Sequence, residues 1–153
     1  MNEDYEITLE KARRYCLRGE KCVFDVRQKL YQWQVEESWH EKILETLKEE
    51  RFVDEERFAR SFARDKCFLS KWGKIKIRYA LHRKQISEKL IDTAFGEIED
   101  ARYKAVFHDV AEQKLRSIHR KTTDSYEVKQ KLMRFLAQRG FEPGLLDESG
   151  LLK

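Results

Sequence analysis

One apolar pattern occurs three times along this chain of 153 residues. Val26, Leu30, Val35 and Trp39 are spaced four, five and four residues apart. Ile77, Leu81, Ile86 and Leu90 repeat those steps, and so do Leu132, Leu136, Phe141 and Leu145. A four-residue step is one helical turn along a buried face, and the five-residue step crosses from one helix into the next. The offsets between quartets are 51 and then 55 residues. Such spacing predicts an all-α chain of three tandem three-helix units, each burying its face partly on itself and partly on a neighbour. The expected units are residues 1–51, 52–97 and 98–153.

Punctuation supports helices. The chain has a single Pro and six Gly, too few turn residues for a sheet protein of this size. Ile7 to Arg18 reads as a helix that Gly19 stops in the left-handed conformation. Ser38-Trp39-His40-Glu41 and Asp124-Ser125-Tyr126-Glu127 fit capping boxes, and Asp54 can cap a helix running through Phe58 and Phe62 to about Phe68. Val128 to Arg139 runs to Gly140, and Pro143 suits the first turn of the next helix. About nine helices are expected, with connecting turns near 96–100 and 121–124. One stretch is ambiguous. Lys74-Ile75-Lys76-Ile77-Arg78-Tyr79 alternates charged and apolar residues as a strand would, yet Ile77 and Leu81 stand one helical turn apart. A strand needs partners, and no second convincing strand exists, so residues 74–84 are predicted helical. On that helix Ile77, Ala80 and Leu81 share one side, while Lys71, Lys74, Arg78 and His82 form a separate stripe.

Charged residues make up 39% of the chain, and the mean hydropathy is −0.79. Nine Phe, six Tyr and three Trp within a 41% apolar share suffice for a core, which a disordered chain lacks. No run approaches the roughly 18–20 apolar residues that span a bilayer. The acidic start Met1-Asn2-Glu3-Asp4-Tyr5-Glu6 lacks the apolar centre of a signal peptide. A cytoplasmic protein with no membrane association is expected. Cys16, Cys22 and Cys67 cannot all pair within the chain, and none forms C-x-x-C; they read as small buried hydrophobes.

Catalytic patterns are missing. The glycines are isolated, so no phosphate loop forms. His40-Glu41 opens like a zinc-protease motif, but position 44 is Leu. His82, His108 and His119 have no ligand spacing with a Cys. The acids Asp54, Glu55 and Glu56 suit a helix start, where the dipole favours negative charge. Cys67 stands near Arg64 and Lys66, which could lower its pKa, but no histidine close in sequence could orient it. A non-enzyme without cofactor or metal is expected.

What stands out is charge polarity. Residues 57–84 hold ten bases and one acid, a charge of +9 that leaves −5 on the rest. A solvated face would explain some of this. A segment so lopsided also suits a polyanion or an acidic protein surface, since phosphate contact depends on charge density and needs no base-reading residue. The candidate contacts are Arg57, Arg60, Arg64, Lys71, Lys74, Arg78, Arg83 and Lys84. Phe58, Phe62, Phe68, Trp72 and Tyr79 interleave with them. Stacking on bases is one use for these rings. Core packing is the expectation for Phe58 and Phe62.

The central residues resemble the RecX regulators of the bacterial recombinase RecA. Phe52-Val53-Asp54-Glu55-Glu56-Arg57-Phe58-Ala59, then Arg64, Gly73 and Ile77, then Leu81, Lys84 and Ile86 with Ile91 and Ala94, are similar to that family's pattern. Ala12, Tyr15, Val26, Lys29 and Leu30 extend the similarity to the first unit. Ala80 stands where the family usually has Glu, and Gln85 where it usually has Gly. The resemblance implies an elongated, curved, right-handed array of three-helix repeats. It implies binding along the groove of the RecA–DNA filament, with inhibition of filament growth, strand exchange and ATP hydrolysis in DNA repair and the SOS response. A monomer is expected, with RecA as partner and weak contact to single- or double-stranded DNA phosphates. Two alternatives stay open: a nucleic-acid-binding helical module acting without the recombinase, and an interaction protein with an acidic partner.

Overall fold

The computed structural model describes residues 3–152. Met1 and Asn2, part of the acidic start, and Lys153, the end of the third expected unit, lie outside them. Among the described residues the chain forms α1 (Glu3–Leu17), α2 (Val23–Gln32), α3 (His40–Glu49), α4 (Glu55–Phe68), α5 (Lys74–Arg83), α6 (Glu88–Gly96), α7 (Asp100–His119), α8 (Ser125–Gln138) and α9 (Gly144–Ser149). A short 3-10 turn, Glu37–Trp39, precedes α3, and the described residues include no strand. Residues 74–83 are therefore helical, with Lys84 at the C-cap, as the lack of a pairing partner required.

The five-residue step of the apolar pattern has a definite backbone origin. The amides of Val35, Ile86 and Phe141 donate to the carbonyls of Leu30, Leu81 and Leu136 at 2.9, 3.1 and 3.0 Å. One residue earlier, the amides of Gln34, Gln85 and Gly140 donate to Tyr31, His82 and Ala137 at 3.0, 2.9 and 3.0 Å. These three residues all have positive φ: 59°, 62° and 90°. Each is a Schellman stop, whose two bonds satisfy orphan carbonyls and whose flanking pair is usually apolar. Leu30 with Val35, Leu81 with Ile86 and Leu136 with Phe141 are those flanking pairs. The repeat thus records one helix-ending device at three matching places, and Arg51 (φ 62°) ends α3 in the same way, with Leu47 and Phe52 as the flanking pair.

Two of the three stops carry glutamine where the left-handed backbone favours glycine. A left-handed residue with a Cβ costs about 1–2 kcal/mol, part of which glycine's greater freedom in the unfolded chain offsets. Gln85→Gly is expected to stabilise the protein by about 0.5–1 kcal/mol. The check is a higher urea midpoint with an unchanged m-value; a lower midpoint sinks the assignment.

Other stops and starts follow side-chain chemistry. Asp54, Ser87 and Asp124 are N-caps that accept from the amides of Arg57, Leu90 and Glu127. Two expectations fail locally. Trp39 is already helical (φ −91°, ψ −17°), so the 3-10 turn runs straight into α3, and Ser38 never takes the extended cap conformation that a box requires. Gly19 has φ 155°, outside the left-handed helical well, and α1 simply ends at Leu17.

The apolar residues form two cores. Tyr5, Leu9, Ala12, Val26, Leu30, Ile43, Leu44, Leu47 and Val53 make one, within α1–α3 and the turn that follows. The other runs without a break from Phe58 to Leu146, so that α4–α6 and α7–α9 share it. Backbone contact seals this shared body. The Gly73 amide donates to the Arg139 carbonyl at 2.7 Å, and the Ile75 amide to the Gly140 carbonyl at 3.0 Å. Between them the Lys74 amide donates to the Tyr103 hydroxyl at 2.9 Å, and that hydroxyl donates to the Glu142 carboxylate. Burial and the Glu142 carboxylate raise the Tyr103 pKa, so the phenol keeps its proton.

The first three helices meet the second group through Cys22 and Phe24, which pack against the second core, and through polar contacts. Arg57 Nε donates to Glu20 at 2.7 Å, Glu55 accepts from the Val23 amide at 2.9 Å, and Lys84 Nζ lies 2.5 Å from Asp25. Partial burial raises the Glu55 pKa, while the Val23 amide pulls it down.

Candidate partner and nucleic-acid interface

α5 is an unusual helix in electrostatic terms. Its first turn holds Lys74 and Lys76 and no acid, although the N-terminal end of the dipole disfavours cations. Its N-cap, Gly73, offers no side-chain acceptor. The free donors at its start are satisfied instead from across the shared body, by Arg139, Tyr103 and Gly140. Ile77 and Leu81 anchor its inner side in the core. Local propensity and local charge therefore contribute little to α5, and tertiary contact fixes a basic helix in place.

The outer face of α5 carries Lys74, Ile75, Arg78, Tyr79 and His82, which with Phe95 of α6 and Glu142 line an open groove of about 420 Å³. Ile75 is 51% exposed and Tyr79 64% exposed, one helical turn apart on a surface that is otherwise charged. Lys74 Nζ sits 4.6 Å from the Tyr103 ring centre and 5.8 Å from that of Phe95. Arg78 lies 5.1 Å over Phe95 and is held by Glu88 and Asp92, the latter at 3.0 Å. His82 Nε2 lies 2.6 Å from Glu88.

The eight expected cations do not form one surface. Lys71 precedes α5, in a turn with φ 58°, and pairs with Asp109 of α7 at 2.5 Å. It is therefore not the first member of a helical stripe, because the helix begins three residues later; Lys74, Arg78 and His82 make up what remains of it. Arg57 and Lys84 are engaged at the contact with the first three helices. Arg60 pairs with Glu56 at 3.1 Å and with Glu97. Arg64 and Arg83 are exposed and make no ion pair among the described residues, and neither does Lys74. The pairs made by Lys71, Arg60 and Arg78 are solvent-exposed, a class generally worth about 0–1 kcal/mol, so a stronger anion can displace them.

The acids that answer the central bases come from outside residues 57–84: Glu20, Asp25, Glu88, Asp92, Glu97 and Asp109. Charge counting along the chain saw the lopsided segment but not these partners, which lie 10 to 59 positions away and meet it only in the fold. Of the interleaved aromatics, Phe58 is buried and Phe62 packs against it at 5.6 Å between ring centres. Trp72 is half-buried, with Lys66 and Lys76 at 4.7 and 4.4 Å from its ring. Phe68 is half-buried beneath Arg102 at 4.2 Å. Among the expected stacking rings, Tyr79 alone is exposed.

The cysteines are all buried and unpaired. Burial pushes the Cys16 thiol up to about 11 and Cys22 to about 12. Cys67 is raised for the same reason, which overrides the lowering expected from nearby bases. Thiolate chemistry is suppressed at each. No helix is long and apolar enough to cross a membrane, and no group of three or more potential ligands could hold a metal ion, in both cases among the described residues.

Two family models match the shared body. One, described as the second three-helix domain of RecX, covers residues 54–94, and the other, its third three-helix domain, covers residues 103–148. The chain belongs to the RecX family. It is 32% identical over 140 residues to the regulatory protein RecX of Clostridium beijerinckii, covering 92% of this chain and 65% of that protein. With the namesake from Clostridium acetobutylicum it shares 28% over 141 residues, 91% of this chain and 65% of the relative. The chain thus spans just under two thirds of the length of these curated relatives. Two solved RecX structures share the fold. One superposes with a TM-score of 0.82 at 22% identity, covering 92% of this chain and 71% of that one. The RecX from Lactobacillus salivarius superposes with a TM-score of 0.80 at 20% identity, covering 95% and 93%. The two RecX models fall on α4–α6 and α7–α9, which are the helices joined at Gly73 and Gly140.

Proposed function

We propose that this chain regulates the RecA recombinase by seating on the RecA–DNA filament and inhibiting filament growth, strand exchange and ATP hydrolysis. It acts as a cytoplasmic monomer, without cofactor and without catalysis of its own. The division into units 1–51, 52–97 and 98–153 belongs to the same proposal, each unit meeting a successive stretch of the filament. Membership of the RecX family supports this reading, and one structural feature carries it further: a basic helix that local forces do not favour is held outward by contacts from the neighbouring unit. Lys74, Arg78, Arg83, Arg64 and Lys71 face the partner in this scheme. Arg57, Arg60 and Lys84 position the module. Ile75 and Tyr79 add apolar contact, which an acidic protein surface uses and a phosphate backbone alone does not.

The test is co-sedimentation with pre-formed RecA filaments, with naked single-stranded DNA as control. The chain is expected in the filament pellet at physiological salt, with little retained on DNA alone. Retention on DNA with steep salt dependence, and none on filaments beyond it, overturns the proposal in favour of a stand-alone nucleic-acid module.

A further inference from the structure

A second basic groove lies far along the chain from α5, on the α7–α8 hairpin. Lys114, Ser117, Ile118 and Lys121 follow one another at steps of three, one and three, and Lys131, Arg134, Phe135 and Gln138 do the same. Those steps place each set on one stripe of a helix or its end. α7 and α8 pack together, and the two stripes face each other across a groove of about 310 Å³. Four cations line it and no acid does. Lys131 is held by Glu127 at 3.0 Å, outside the lining. Lys114, Lys121 and Arg134 make no ion pair among the described residues. The two apolar residues of the lining are not anchors for a protein partner. Ile118 is buried, and the Phe135 ring is occupied by Lys114 Nζ at 4.8 Å and Arg139 at 5.6 Å.

We infer that this groove binds the phosphodiester backbone of nucleic acid, independently of the α5 face. The flexible ammonium groups act as point charges, which fits phosphate neutralisation. Ser117 and Gln138 add neutral donors. With no free ring to stack a base and no exposed apolar anchor, the site is expected to track the backbone without reading sequence. The surrounding charge is compatible. Glu112, two positions before Lys114, is engaged by His108 and Arg116.

The experiment measures binding of the whole chain to a fluorescent poly-dT oligonucleotide between about 0.02 and 0.3 M salt, for the unaltered protein and for the triple variant Lys114→Gln, Lys121→Gln, Arg134→Gln. Neutralised phosphates on single strands contribute about 0.7 each to the slope of log K against log salt. The variant is expected to lose about 2 from that slope and to bind at least about tenfold more weakly at low salt. Its helicity is expected to stay unchanged, because the replaced side chains lie on the surface. A triple variant with the parent's slope and affinity overturns the inference, and so does a parent protein that fails to bind poly-dT at the lowest salt. A parallel arm with poly-glutamate identifies the remaining case: if the variant loses poly-glutamate and keeps poly-dT, the groove serves an acidic protein and the inference is wrong. RecA is absent from every arm, so failure here leaves the filament proposal standing and can be told apart from its failure.

Discussion

Replacing Gly73 by alanine is expected to destabilise the protein by about 3–5 kcal/mol, summing steric overlap with lost hydrogen bonds. Gly73 has φ −78°, so backbone preference does not require glycine there. Space does. A Cβ at this position would lie 2.3 Å from both the carbon and the oxygen of the Gly140 carbonyl, and 2.4 Å from the Phe141 nitrogen. These are backbone atoms held in a helix stop, and they cannot turn aside as a side-chain end could. Relief requires the two strands of backbone to separate, which breaks the bonds from the Gly73 and Ile75 amides and leaves the start of α5 uncapped. Overpacking alone costs about 1–3 kcal/mol. Each buried backbone group left without a partner adds about 1–3 kcal/mol. Urea unfolding followed by circular dichroism reads the effect, and hydrogen exchange at the Ile75 amide localises it. Gly96→Ala is the matched control: nothing lies within 4 Å of the added carbon, and the residue ends α6. That change is expected to be neutral or to stabilise by up to about 1 kcal/mol. Equal midpoints for Gly73→Ala and the parent protein refute the close-approach account.

The same joint marks the limit of what the sequence discloses. The apolar quartets were legible because a helix and its stop obey local geometry: the steps of four and five are fixed by turn pitch and by the Schellman bonds. Asp54 and Asp124 were legible as caps for the same reason, since donor and acceptor sit three positions apart. Gly73 meeting Gly140 was not, because 67 residues separate two glycines that look like ordinary turn punctuation. The Lys74, Tyr103 and Glu142 chain was hidden likewise; a tyrosine and a glutamate carry no mark of a long-range hydrogen bond. The +9 segment was visible, whereas its division into joint-forming and outward cations depends on acids drawn from elsewhere in the chain. The α7–α8 groove escaped a charge count altogether, because its bases are diluted by acids that point elsewhere. A count by helical stripe, residues at steps of three and four, could have found it.

Reversing the charge of Lys74 and Arg83 is expected to reduce inhibition of RecA strand exchange by at least tenfold while leaving helicity intact. The choice follows from what each cation already touches. Lys71 and Arg78 lie against Asp109, Glu88 and Asp92, so a glutamate at either site faces acids and blurs a loss of binding with a loss of stability. Lys74 and Arg83 make no ion pair among the described residues. Lys74 gives up its approach to the Tyr103 and Phe95 rings and shares its groove with Glu142, whose carboxylate is already bonded to the Tyr103 hydroxyl, and Arg83 gives up its place 6.0 Å from Tyr79. Contacts of this kind are worth about 0.5–1 kcal/mol when exposed. A charged hydrogen bond to a partner contributes about 1.5–3 kcal/mol, and two lost together exceed the 1.4 kcal/mol that separates tenfold steps. Reversal adds repulsion to that loss. The triple change Lys71→Glu, Lys74→Glu, Arg78→Glu is expected to abolish inhibition as well, accompanied by a lower urea midpoint that the double change does not share. Arg57→Gln tests the other half of the division. It breaks the Glu20 contact at the joint and is expected to alter stability more than inhibition per outward cation lost. Full inhibition by the Lys74→Glu, Arg83→Glu protein, at the parent's concentration and salt, removes α5 as the partner face.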